Sequence, residues 1–115
     1  MIAIAALAEG GAPLSVFKLS MPQLEKHIRA LAADEANVTI SSHARQRMAD
    51  RDIQPIELFE CLRKGRIRQP AEPDFALGSL ECRMECFVAG RTVVACVAVS
   101  DDYPDTIVVT VMTRN

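Results

Sequence analysis

Between residues 80 and 88 apolar and polar side chains alternate without a break: Leu80, Cys82, Met84, Cys86 and Val88 take one parity, Glu81, Arg83, Glu85 and Phe87 the other. A period of two predicts a β-strand with one face on a core and one in water. Ala89-Gly90 reads as a tight turn into residues 92–99, whose apolar side chains occupy both parities and predict a central strand covered on both faces. After a turn at 101–105, which holds Tyr103 and Pro104, residues 106–112 form the last strand. Upstream the period changes to that of a helix. Leu24, Ile28 and Leu31 predict a helix over 21–34, entered through Ser20 as N-cap with Pro22 in the first turn.

Residues 37–40 are short and β-branched, and Ser41 or Ser42 can cap a helix that stops near Asp52. Pro55 and Glu57 open another helix, whose apolar stripe is Leu58, Phe59, Cys61 and Leu62. Arg63 and Lys64 fall where the helix dipole favours cations, and Gly65 is the expected left-handed cap. Residues 66–69 predict a short edge strand stopped by Pro70. Residues 1–19 are expected to be a loosely attached N-terminal extension, with an edge strand near 16–19, and residues 20–115 a single domain. Helices followed by a meander give an α+β fold: two to three helices packed on one face of a mainly antiparallel sheet of three to five strands.

With half of its 115 residues apolar, the chain can bury one core without disulfides or metal. A net charge of −2 excludes a globally basic nucleic-acid binder, but residues 41–69 hold seven Arg or Lys against four Asp or Glu. Any anion site is therefore local. The apolar start, residues 1–8, has no preceding basic residue, and a cytoplasmic protein is the expectation. Cys82 and Cys86 on one strand would stand about 13 Å apart, too far to share a metal ion, so the four cysteines read as buried free thiols. No metal site and no cofactor are expected, and no phosphate-binding glycine motif occurs. His27 reads as a boundary histidine of its helix.

The polar chemistry concentrates in residues 41–53. At about 100° per residue, with His43 as zero, Arg47 lies near 40°, Arg51 near 80° and Asp50 near −20°, beside the apolar Ala44 and Met48. One imidazole and two guanidiniums thus share a helix face at the border of the core. An imidazole titrates near neutrality and suits proton transfer, while guanidiniums match phosphate oxygens bidentately. The same row has a structural alternative, in which Arg47 pairs with Asp50 while Arg51 and His43 close the border between helix and sheet. Glu81, Arg83 and Glu85 are expected as solvated cross-strand pairs.

His43-Ala44-x-x-Arg47-Met48-x-x-Arg51-x-Ile53, then Glu57, Leu62 and Gly65, then a meander closing with Ile107-Val108-Val109-Thr110-Val111, resembles the bacterial domain-of-unknown-function family 4258 over about residues 38–113. The resemblance implies a small α+β fold similar to the RelE and barnase types of ribonuclease toxin, with a metal-independent endoribonuclease role, and His43, Arg47, Arg51 and Thr110 as the site positions. It also implies RNA and an antitoxin-like protein as partners, without a membrane; no oligomeric state follows. The chain departs from toxins of the RelE type in its mild net acidity and in having its single tyrosine, Tyr103, in a loop. The competing class is a non-catalytic protein-protein interaction module in which the His/Arg cluster is structural.

Overall fold

The computed structural model describes residues 15–102 and 106–114. Expectations for residues 1–14, and for the part of the turn at 103–105 with Tyr103, lie outside the described residues. Ser20 opens helix α1 (Met21–Ala32) with a full capping box: its hydroxyl accepts from the Gln23 N–H, and Gln23 Oε1 accepts from the Ser20 N–H at 2.9 Å. Leu24, Ile28, Leu31 and Ala32 form its buried stripe. The helix ends two residues before the expected point because Asp34 caps a separate 3-10 turn, Glu35–Asn37, by accepting from the Ala36 N–H at 3.0 Å.

Strand β1 (Val38–Ile40) leads into helix α2 (Ser42–Asp50), and helix α3 (Pro55–Lys64) follows. α2 ends in a Schellman motif: the Ile53 N–H bonds to Met48 O at 2.8 Å and the Asp52 N–H to Ala49 O, with Asp52 at φ 53° in the left-handed position. Met48 and Ile53 are both buried, supplying the apolar contact that accompanies such a stop. In α3 Pro55 is in the first turn and Glu57 accepts from the Gln54 N–H, as the sequence predicts. Gly65 caps α3 for a different reason than expected. Its φ of −70° is ordinary, but a Cβ there would overlap the Cys61 carbonyl oxygen and stand 2.9 Å from Glu85 O. The glycine is needed because α3 ends pressed against backbone.

Strands β2 (Arg66–Ile67), β3 (Glu72–Asp74), β4 (Ser79–Val88), β5 (Arg91–Val99) and β6 (Thr106–Arg114) complete the fold. The sheet order is β1-β6-β5-β4-β2, with β3 also on β4, and every pairing is antiparallel except β1 with β6. The sheet thus has six strands, not three to five, and is mixed. The additional strand is β3, three residues centred on Pro73, which shows no alternation and survives only at an edge where its missing N–H is not required.

All three helices pack on the sheet face carrying Cys82, Met84, Val93, Ala95, Val97, Val108 and Val111. β5 is buried at five consecutive positions, Val93 to Val97, as a central strand should be. The parity expected of β4 holds, with one exception: Glu85, on the wet parity, is only 7% exposed, while Glu81 is exposed. At the N-terminus residues 16–18 form a 3-10 turn (Val16–Lys18) instead of an edge strand. That turn is tied down: Val16 is in the core, its N–H donates to Asp101 Oδ1 at 2.8 Å, and the Ser15 hydroxyl donates to Asp101 Oδ2 at 2.6 Å.

Arg91 holds three elements together. Its guanidinium donates to Arg51 O at 2.7 Å, to Asp52 O at 2.5 Å and to Glu57 Oε2 at 2.9 Å, joining the end of α2 and the start of α3 to the β4–β5 hairpin. Arg29 and Arg63 act similarly, donating to Gly65 O at 2.6 Å and to Ala32 O at 2.7 Å.

All four cysteines are free thiols. Cys61 donates to Met84 O at 3.0 Å beneath α3, and burial pushes its thiol up to about 12. Burial also pushes Cys82, on the core face of β4, up to about 12.

Two outcomes test this architecture. The β4–β5 hairpin turns through Ala89 at φ 53° and Gly90 at φ 80°, a turn of the twice-positive kind that costs an alanine roughly 1 kcal/mol. Ala89→Gly should therefore raise the unfolding free energy by about 0.5–1 kcal/mol in urea titration, whereas Gly65→Ala should lower it by at least 2 kcal/mol or so through the backbone overlap. The buried thiols contribute to the loss of stability in alkali. An unfolded thiol ionises around its ordinary value of 9.0 while Cys61 and Cys82 stay protonated to about 12, so their contribution is complete below pH 9 and is lost as pH rises toward 12. Thermal melts should show Cys82→Val losing less stability than wild type over that window, by up to about 1.4 kcal/mol per pH unit.

Candidate functional site

Ser41 fixes where α2 begins. Its hydroxyl accepts from the Ala44 N–H at 3.0 Å and donates to Val109 O at 2.9 Å, while its N–H donates to Val108 O at 3.0 Å. Those two carbonyls belong to a β-bulge. Cys96 pairs with Thr110 and Val97 with Val108, leaving Val109 as the extra residue of β6. α2 is thereby anchored on β6, with Ala44 and Met48 turned into the core.

His43, Arg47, Asp50 and Arg51 are all exposed, in keeping with the helical spacing. The structural alternative lacks its expected partner: Asp50 Oδ1 accepts from Gln46 Nε2 at 3.2 Å, and among the described residues neither Arg47 nor Arg51 has a carboxylate within ion-pair distance. Arg29, Arg63 and Arg91, by contrast, are each committed to main-chain carbonyls. The two guanidiniums of the α2 row are free to meet a ligand.

Thr110 stands elsewhere. It lies opposite Cys96, which lies opposite Arg83, and this row is on the sheet face turned away from the helices. There Thr110 lines a cavity of about 190 Å³ together with Arg83, Cys96, Glu81, Glu72 and Gln69. A second cavity, of about 280 Å³, lies on the other flank of α2 and is lined by Arg45, Met48, Ala49 and Asp52. Neither cavity is lined by His43, Arg47 or Arg51. The structure therefore sets His43 and Arg47 on α2 and Arg51 at its C-cap, and places the fourth expected residue, Thr110, in a separate pocket.

That pocket is the feature the sequence did not disclose. Glu81 and Arg83 read as one-half of solvated cross-strand pairs, but the register sets Glu81 opposite Glu72 and Arg83 opposite Cys96. Arg83 reaches Gln69 Oε1 at only 3.4 Å and lies against the Cys96 thiol, whose ionisation burial disfavours and the guanidinium favours. The missing signal was β3, since without it Glu72 has no position relative to Glu81. Among the described residues no group of three His, Cys, Asp or Glu side chains is placed to hold a metal, and no helix is long and apolar enough to cross a membrane.

No curated protein and no solved structure matches the chain. One family does, described as "Domain of unknown function (DUF4258)", and the matched stretch, residues 40–113, runs from the end of β1 through β6 and contains the α2 row and the Thr110 pocket. Since that stretch is well over half of the sequence, the chain belongs to the DUF4258 family.

Proposed function

We propose that this domain binds single-stranded RNA, with the exposed face of α2 engaging the phosphates. The observation that carries the reading is that Arg47 and Arg51 are exposed beside His43 and have no ion-pair partner among the described residues, while Arg29, Arg63 and Arg91 are spent on carbonyls; the company of His43 sets this pair apart from the equally exposed Arg45, Arg66 and Arg68. A guanidinium held ready on a short helix offers a phosphate two parallel N–H donors, and the row repeats that offer one turn further on. The mild net acidity of the chain does not oppose this, because the attraction is local. The reading carries with it a cytoplasmic location.

Metal-independent cleavage is the finer form of the same proposal. In it the His43 imidazole takes the proton of a 2′-hydroxyl, that oxygen attacks the adjacent phosphorus, the P–O5′ bond breaks with the 5′-oxygen leaving as a hydroxyl protonated from solvent water, a 2′,3′-cyclic phosphate remains, and the imidazolium returns its proton to solvent. Helices on one face of a largely antiparallel sheet are in keeping with a fold of the RelE or barnase ribonuclease type. The separation of Thr110 from the α2 row favours binding over cleavage.

A second reading, a protein-interaction module with an antitoxin-like partner, is favoured by one feature. Phe75 and Leu77, 83% and 76% exposed, project from the single turn between β3 and β4. An exposed aromatic and an exposed leucine two residues apart suit a partner surface.

Fluorescence anisotropy with a labelled single-stranded RNA separates these readings. Arg47→Ala and Arg51→Ala should each weaken binding at low salt by roughly 1.5–3 kcal/mol and lower the salt dependence by about one released counterion. Their urea midpoints should stay within about 0.5 kcal/mol of wild type. Arg91→Ala is the opposite control: it should lose roughly 2 kcal/mol of stability, since Glu57 and two carbonyls lose their donor. His43→Ala should abolish any cyclic-phosphate product while RNA remains bound. A wild type that binds no RNA at low salt leaves the interaction module.

A further inference from the structure

The pocket on the sheet face turned away from the described helices has the donors and acceptors of a base-recognition site. Resting on the RNA reading above, we infer that it takes one unstacked nucleobase of the bound strand and that guanine is the base it fits. Its floor is the buried Cys96 and the half-buried Thr110 and Met112; its walls are the exposed Gln69, Pro70, Glu72, Glu81 and Arg83. A volume of about 190 Å³ admits a purine ring and excludes a folded peptide segment.

Charge decides what enters. Two carboxylates against one guanidinium leave the pocket net negative, so a phosphate is repelled and a group rich in N–H donors is drawn in. Glu72 and Glu81 are opposite each other in the β3–β4 register, an arrangement of like charges that costs free energy until something donates between them. Guanine presents two adjacent donors, N1–H and the N2 amino group, which one carboxylate accepts together. On its other edge O6 and N7 accept from one guanidinium in a fork. Glu81 and Arg83 are two residues apart on β4, on the same face, about 6.6 Å along the strand, which places a carboxylate and a guanidinium on either side of a ring of that size. Adenine reverses the amino and acceptor positions and satisfies neither. Pro70 and Met112 offer apolar surfaces for the ring faces, the usual way in which a protein holds a base pulled out of its stack.

β6 is common to both surfaces. Its bulge at Val109 anchors α2, and its Val109, Thr110 and Met112 line the pocket, so one strand separates the phosphate contacts from the base contact.

The test uses the full chain with two labelled RNA strands, one all-uridine and one carrying a single guanosine, and with the free mononucleotides GMP and AMP. Wild type should bind the guanosine strand at least tenfold tighter than the uridine strand. Glu81→Gln and Arg83→Gln should each remove that preference while leaving uridine-strand binding within twofold, since neither belongs to the α2 row. Arg47→Ala should weaken both strands equally and keep the preference. Equal wild-type affinity for the two strands, or a preference that survives Glu81→Gln, overturns the pocket while the RNA reading stands. If neither strand binds, the RNA reading falls, and GMP titration followed by NMR decides the pocket alone: selective shifts of the Arg83 and Thr110 amides with GMP and not AMP uphold it, and their absence overturns it. Binding of an arginine-rich peptide that depends on Glu81, with no GMP response, assigns the pocket to a cationic protein segment and also overturns the inference.

Discussion

The Arg91 guanidinium is the constraint on which the geometry of the helical layer depends. A helix that ends beside the start of another leaves carbonyls on one side and free N–H groups on the other, and the chain must supply partners for both within four residues. Arg91 supplies the acceptors' share from across the sheet, while Glu57 supplies the donors' share and ties itself to the same guanidinium. Because Arg91 follows directly on the β4–β5 turn, the hairpin and the α2–α3 corner cannot shift separately. The direction of α2, and hence where its charged face points, is set from that corner at one end and by Ser41 on β6 at the other.

Much of this was legible in the sequence because each strong signal had a single physical reading. Ser20, Pro22, Pro55 and Glu57 mark helix starts through groups that only a helix start leaves unsatisfied. The alternation from Leu80 to Val88 fixes β4 and its core face, and the two-parity run in β5 identifies the central strand. The placing of His43, Arg47 and Arg51 on one short stretch of chain followed from the pitch of a helix, whereas the structure sets all three side chains in solvent.

What stayed hidden depended on pairing. β3 has no alternation and exists only because the flank of β4 is vacant beyond the reach of β2. Gly65 looked like a left-handed cap, since a glycine after Arg-Lys carries the same signal whether it is needed for its φ or for close approach, and only the position of Glu85 O distinguishes the two. Glu85 obeys the alternation yet is buried, opposite Val94 of the central strand, which is buried as well, and that neighbour is known only from the register. The association of Thr110 with Arg83 and not with His43 needs the register of three strands at once.

The bulge at Val109 carries a further meaning for the last strand. Its two halves are out of phase: Val108 and Val111 both reach the core although three positions separate them, whereas strict alternation would pair parities two apart. In a ladder of period two, an inserted residue acts as a half-wavelength shift, and everything on one side of it exchanges inside for outside. Thr110 and Met112 face the pocket, and Val111 the core, only because that shift sits upstream of them. The length of β6 at a single residue therefore encodes which chemistry each face of the sheet displays, and the Val108-Val109 junction is where a one-residue change in chain length would rewrite the site while leaving the composition of the strand almost untouched.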